Sequence, residues 1–121
     1  MITLICGYPM AGKTTYSQMY DNVIHLDDFG IDPYSGVENY VKHVRGDIVI
    51  DGVYQRKNTR MKLLHYYTGD GKRTCIWIDT PKEIRQIRTK RKVCDFPFDP
   101  PSYDEGWDEI IVIRGTDNAE Y

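Results

Sequence analysis

Long apolar runs are missing from this chain of 121 residues: nothing in it approaches the ~20 consecutive apolar residues of a membrane-spanning helix. Met1 leads straight into a short run of strand character, so no charged-then-apolar leader is expected. A cytoplasmic location and no membrane partner are therefore expected. Cysteine is sparse. Cys6, Cys75 and Cys94 are widely spaced and odd in number, which argues against a disulfide framework and against a zinc knuckle. Cys6 and Cys75 fall inside apolar runs and are expected to be small buried hydrophobes. The three histidines, His25, His43 and His65, share no metal-ligand spacing. A large excess of charge of one sign is lacking too. The net charge of −2 leaves no global field that would draw the protein to nucleic acid. There is no internal repeat and no low-complexity segment.

What is present fits a single domain over residues 1–121, with 40% hydrophobic and 28% charged residues. The charge is unevenly spread. Residues 81–92 carry Lys82, Arg85, Arg88, Lys90, Arg91 and Lys92 against Glu83 alone, and residues 95–109 carry six acids and no base. Short apolar runs at 2–6, 23–26, 48–50, 75–78 and 110–113 alternate with helical patterns, which predicts an α/β fold with a parallel sheet covered on both faces. Val37, Tyr40, Val41 and Val44 recur at helical spacing with Ser35 as cap. A helix over 58–67 is expected to turn Met61 and Leu64 inward, with Leu63 and Tyr67 as further candidates. Thr80-Pro81-Lys82-Glu83 reads as a helix start with Thr80 as cap and Glu83 closing a capping box. Residues 95–101 read as irregular, with prolines at 97, 100 and 101.

Between the first run and the first helix lies Gly7-Tyr8-Pro9-Met10-Ala11-Gly12-Lys13-Thr14, which fits G-x-x-x-x-G-K-[ST] without forcing a position. A glycine-rich turn that feeds a helix N-terminus offers unpaired N–H donors and partial positive charge to phosphates. Gly7 and Gly12 let the backbone wrap, Lys13 reaches β- and γ-phosphates, and Thr14 sets a hydroxyl on Mg²⁺. The expected ligands are ATP and Mg²⁺, on Gly7, Tyr8, Pro9, Met10, Ala11, Gly12, Lys13, Thr14 and Thr15.

In an open α/β sheet, ligands gather beyond the carboxyl ends of the strands. Three later strands end on an acid: Asp27, Asp51 and Asp79. Asp51 is a candidate Mg²⁺ ligand, with a structural turn as the alternative. Asp27, adjoined by Asp28 and followed by Gly30, is the candidate general base, with a helix cap as the alternative. Asp79 is better explained by charge stabilisation at a helix start. In the 81–92 segment, Ile84 and Ile87 mark a buried seam. Arg88 and Arg91 flank that seam, placed to cover a transferring phosphoryl group, while Arg85 and Lys92 point to solvent. Trp77 reads as core; Trp107 reads either as core or as the border of a nucleotide base.

Taken together, these residues resemble the polynucleotide-kinase-like branch of the P-loop kinases, in the P-loop NTPase superfamily beside AAA-type and zeta-toxin-like ATP-binding domains. Gly7 to Thr15 is similar to that branch's G-x-P-G-[SA]-G-K-[ST]-T loop, and His25-Leu26-Asp27-Asp28 to its N-R-D-[DT] segment. Asp51-Gly52-Val53-Tyr54, followed by Arg56, Asn58 and Arg60, resembles its D-[NT]-x-N segment. Phe98 to Trp107 resembles its F-E-x-P-[TS]-x-x-E-G-[FW] loop. The resemblance implies a three-layer α/β/α fold, a five-stranded parallel sheet in order 2-3-1-4-5, and a lid at about 85–98. It also implies Asp27 as base and transfer of the γ-phosphate to the 5′-hydroxyl of a polynucleotide. The chain departs from the pattern at Leu26, where Arg is usual, and at Met10, where Gly is usual. It has no basic residue near Gly30, and its lid is short. A nucleoside, nucleotide or other small metabolite is therefore an alternative acceptor. An ATP-binding switch or interaction module without transfer is a further alternative.

Overall fold

A computed structural model describes residues 1–93 and 95–115; Cys94 and residues 116–121 lie outside the described residues. Five strands, β1 (Ile2–Cys6), β2 (Val23–His25), β3 (Ile48–Gly52), β4 (Arg73–Asp79) and β5 (Glu109–Arg114), form one sheet in the order β2-β3-β1-β4-β5. Every pairing is parallel. The strand order and the direction of pairing are those expected from the sequence.

Parallel neighbours need crossovers, and helices supply most of them. They are α1 (Lys13–Ser17), α2 (Pro33–Val41), α3 (Lys57–Tyr66) and α4 (Lys82–Ile87). Short 3₁₀ turns at Leu26–Phe29 and Tyr103–Glu105 precede α2 and β5. No helix of the described residues is long and apolar enough to cross a membrane.

The period-2 alternation of the strands divides the core. Ile2, Leu4, Cys6, Ile48, Ile50 and Cys75 point to one face, where they meet Val37 and Val41 of α2 and Leu63 and Leu64 of α3. Ile5, Val49, Ile76 and Ile78 point to the other, where they meet Ala11, Tyr16 and Tyr20 around α1. The first cluster is the larger, so most apolar stabilisation rests on α2 and α3. A fully buried Leu or Ile there contributes about 1.5–3 kcal/mol.

Several local expectations need correction. The cap of α2 is Asp32, whose carboxylate accepts from the Ser35 N–H at 3.4 Å; Ser35 is not the cap, because Pro33 fixes the first helical residue one turn earlier. In α3, Leu63, Leu64 and the following Tyr67 are buried, and Met61 is exposed. Helix α4 begins after Pro81 with no side-chain cap, so Thr80 and Glu83 form no capping box. It is also too short to keep a two-isoleucine seam: Ile84 is half-buried, Ile87 is 69% exposed, and neither joins an apolar cluster. Trp107 is core, buried at 4% exposure, and Trp77 packs against the same cluster.

Candidate functional site

The loop from Gly7 to Gly12 leaves β1 at the carboxyl edge of the sheet. Gly7 has φ 155°, and a Cβ there would lie 2.7 Å from the Ile78 carbonyl oxygen of the neighbouring strand, so no side chain fits. Gly12 is left-handed at φ 110° and turns the chain into α1. Met10 is left-handed as well, at φ 66°, in the position where the resembling loops carry glycine.

The loop's carbonyls are engaged by donors from around it. Lys13 Nζ donates to the Gly7 and Tyr8 carbonyls at 2.9 and 2.8 Å. Arg88 Nη1 donates to the Met10 carbonyl at 3.0 Å, and Thr80 Oγ1 to the Ala11 carbonyl at 2.7 Å. By contrast, the backbone N–H groups of Met10, Gly12, Lys13, Thr14 and Thr15 have no acceptor among the described residues. Successive unpaired N–H groups beside an ammonium form a concave anion site. Burial pushes the Lys13 ammonium down to about 8, although the Asp51 and Asp27 carboxylates pull it the other way.

Lys13, Thr14, Asp27 and Asp51 line one cavity of about 300 Å³, with Pro9, Met10, Gly52 and Val53 completing its wall. Asp27 is exposed in the first turn of the 3₁₀ segment after β2, and Asp51 is nearly buried within β3. The strand-end position thus brings two of the three aspartates to the loop. The third, Asp79, pairs with Arg114 at 3.7 Å instead. Asp51 is held from β2: His25 and Asp51 are direct register partners, with His25 Nδ1 2.8 Å from Asp51 Oδ2. A second cavity of about 400 Å³ lies on the other side of the loop, between Pro9 and Met10 and the residues after α4, Thr89, Arg91, Lys92 and Val93. Arg88 therefore sits on the loop itself, and Arg91 on the wall of this second cavity.

Arg85 overturns its expectation. It is 3% exposed, not solvent-facing. Its Nε donates to the Thr80 carbonyl at 3.0 Å, its Nη2 meets Asp95 at 2.5 Å, and its guanidinium lies 4.3 Å from the Tyr8 ring centroid. With no apolar seam, α4 is fastened to the domain by this arginine. Tyr8 in turn donates to the Phe96 carbonyl and packs against Phe96 and Phe98 at 4.9 and 5.1 Å between centroids. Burial, reinforced by Asp95, raises the Tyr8 phenol. The loop is thereby tied to residues 95–98.

That segment is anchored further on by a buried ion pair. Arg60 Nε and Nη2 donate to the two Glu105 oxygens at 2.7 and 3.0 Å, and both side chains are fully excluded from solvent. Burial alone would lower the Arg60 guanidinium, but the Glu105 carboxylate outweighs it and raises it. The supporting roles of Thr80, Arg85, His25 and the Arg60–Glu105 pair were not read from the sequence. Glu105, Arg60 and His25 stand there only as motif positions, and Thr80 only as a helix cap. The sequence matches no model of a known protein family and no curated protein.

Proposed function

We propose that this chain is a phosphotransferase of the P-loop kinase type, which moves the γ-phosphate of ATP to a hydroxyl group. The observation that carries the reading is the loop of Gly7 to Thr15, with the Gly7, Tyr8, Met10 and Ala11 carbonyls engaged by side chains, the N–H groups of Met10, Gly12, Lys13, Thr14 and Thr15 unpaired among the described residues and Lys13 beside them, in the same cavity as Asp27 and Asp51. The loop N–H groups and Lys13 would hold the β- and γ-phosphates, Lys13 exchanging its two carbonyl partners for phosphate oxygens. The cavities on either side of the loop give a nucleotide room to lie across it.

The residues fit Mg²⁺ carried in with a nucleotide. Among the described residues no group of three or more His, Cys, Asp or Glu side chains could hold a metal alone. Mg²⁺ commonly takes one or two protein ligands and completes its shell with phosphates and water. Thr14 and Asp51 are those ligands, and Asp51 Oδ1 has no hydrogen-bond partner among the described residues. When bound, the ion would neutralise charge on the β- and γ-phosphates.

In transfer, Asp27 accepts the proton of the acceptor hydroxyl as its oxygen bonds to the γ-phosphorus. The bond from that phosphorus to the β–γ bridging oxygen breaks and ADP leaves. Arg88, on the loop, and Arg91, on the neighbouring wall, would stabilise charge on the transferring group. The resemblance favours a polynucleotide 5′-hydroxyl as acceptor. One observation favours a small uncharged acceptor instead: among the described residues, Lys13 is the only cationic side chain lining the cavity that holds Asp27. The test is labelled γ-phosphate transfer against 5′-hydroxyl DNA, 5′-hydroxyl RNA, nucleosides and nucleotides. Acceptor affinity that falls steeply with salt marks a nucleic acid, through counterion release. Flat salt dependence marks a small neutral acceptor. ATP binding with no labelled acceptor and only slow hydrolysis would replace the kinase reading with a nucleotide switch.

A further inference from the structure

Asp51 has a place in the proposed site, and His25, its partner across the sheet, has none. Asp51 stands in β3 with 7% of its side chain exposed, where an ionised carboxylate needs partners to offset lost hydration. Among the described residues its one hydrogen bond is to His25, across the β2–β3 ladder, at 2.8 Å. That bond occupies Oδ2 and leaves Oδ1 without a partner. A carboxylate anchored through one oxygen presents the other in a fixed direction.

His25 is itself poorly explained as packing. It ends a three-residue strand with 38% of its side chain exposed, and a β-branched residue would serve such a strand at least as well. It also lines a cavity of about 280 Å³ that Thr14 shares. One imidazole therefore shares a cavity wall with Thr14 and a hydrogen bond with Asp51, the two residues assigned above to Mg²⁺.

We propose that His25 is a positioning residue: it orients the Asp51 carboxylate for the divalent ion that accompanies the nucleotide. The inference rests on the functional reading given above. Partners that orient ligating groups typically contribute 10–100-fold to metal affinity. The test uses Mn²⁺ and a non-hydrolysable ATP analogue, with bound Mn²⁺ read by electron paramagnetic resonance and analogue affinity read separately without metal. His25→Phe, which keeps the ring and removes Nδ1, should weaken Mn²⁺ binding about tenfold or more. It should leave metal-free analogue affinity within about threefold of wild type, because the phosphate-binding N–H groups are untouched. His25→Asn, whose amide can reach the place of Nδ1–H, should restore most of the Mn²⁺ affinity. If His25→Phe fails to fold, His25→Val, a strand-compatible residue with no side-chain donor, takes its place. Unchanged Mn²⁺ affinity in His25→Phe beside a loss in Asp51→Asn would overturn the positioning role alone. Unchanged affinity in both would remove Asp51 from the metal site, and the proposal with it.

Discussion

Substituting Glu105 by Ala should be among the most damaging single changes in the chain. Its carboxylate accepts from Arg60 Nε at 2.7 Å, Arg60 Nη2 at 3.0 Å, Trp107 Nε1 at 3.0 Å and the Ser102 N–H at 2.9 Å. Truncation leaves the Arg60 guanidinium, whose side chain is 0% exposed, with only the Tyr54 and Asp99 carbonyls at 2.8 Å. Breaking a buried pair by removing one partner costs about 3–5 kcal/mol. For a chain of 121 residues the whole stability is expected at about 6–18 kcal/mol, so half or more of it is at stake at the lower end. Removing both charges, as Arg60→Met with Glu105→Leu, should cost at least about 2 kcal/mol less than the two single changes added, because no orphan charge remains. Urea unfolding followed by the fluorescence of Trp77 and Trp107 measures Glu105→Ala, Arg60→Met, Glu105→Leu and the double variant. A Glu105→Ala cost below about 1 kcal/mol, or strict additivity, would refute the view that this pair anchors the segment behind the loop.

Other expectations concern the loop and its neighbours. Lys13 titrates near 8 in the folded protein against about 10.5 when unfolded, so the unfolded chain holds more protons between those values. Its contribution to stability is therefore unfavourable, on the order of 3 kcal/mol below pH 8, and is relieved as pH rises from 8 towards 10.5. Unfolding of wild type and Lys13→Met across that window should diverge accordingly, and parallel curves would argue against the depressed ammonium. Phosphates should raise the Lys13 value again, so nucleotide binding near pH 8.5 should take up protons, detectable by calorimetry in buffers of different ionisation enthalpy. Gly7→Ala forces a Cβ to 2.7 Å from the Ile78 carbonyl oxygen and should weaken ATP binding at least tenfold, checked by equilibrium binding. Arg85→Met should lower the melting temperature through loss of the contacts to Thr80, Asp95 and Tyr8, where a solvent-facing arginine would leave it unchanged.

The layout of the sheet was legible because its signals are local. Apolar runs of strand length, a glycine-rich turn and strand-end acids each depend on a few neighbouring residues, and they gave the parallel sheet and the grouping of Lys13, Thr14, Asp27 and Asp51; the strand order came only with the family resemblance. What escaped depends on contacts between distant segments. Arg85 sits in a helix whose other charges are solvated, and only the aromatic wall of Tyr8 and the carboxylate of Asp95 make its burial favourable. Thr80 looked like a helix cap because its sequence neighbours suit one, yet its hydroxyl is drawn to the Ala11 carbonyl. Ile87 followed the helical period, but α4 ends there and leaves nothing to cover it. His25 gave no metal-ligand spacing, and the role proposed for it rests on the strand register that sets it opposite Asp51.

The central claim is that one cavity binds the phosphates of ATP through the loop and Lys13 and activates an acceptor through Asp27. Its most direct test measures ATP affinity and labelled γ-phosphate transfer side by side in wild type, Lys13→Ala and Asp27→Asn. Lys13→Ala should lose both, whereas Asp27→Asn should keep ATP affinity within about threefold while transfer falls by about 10²–10⁴. Equal loss of ATP affinity in the two variants, or undiminished transfer in Asp27→Asn, would contradict the account.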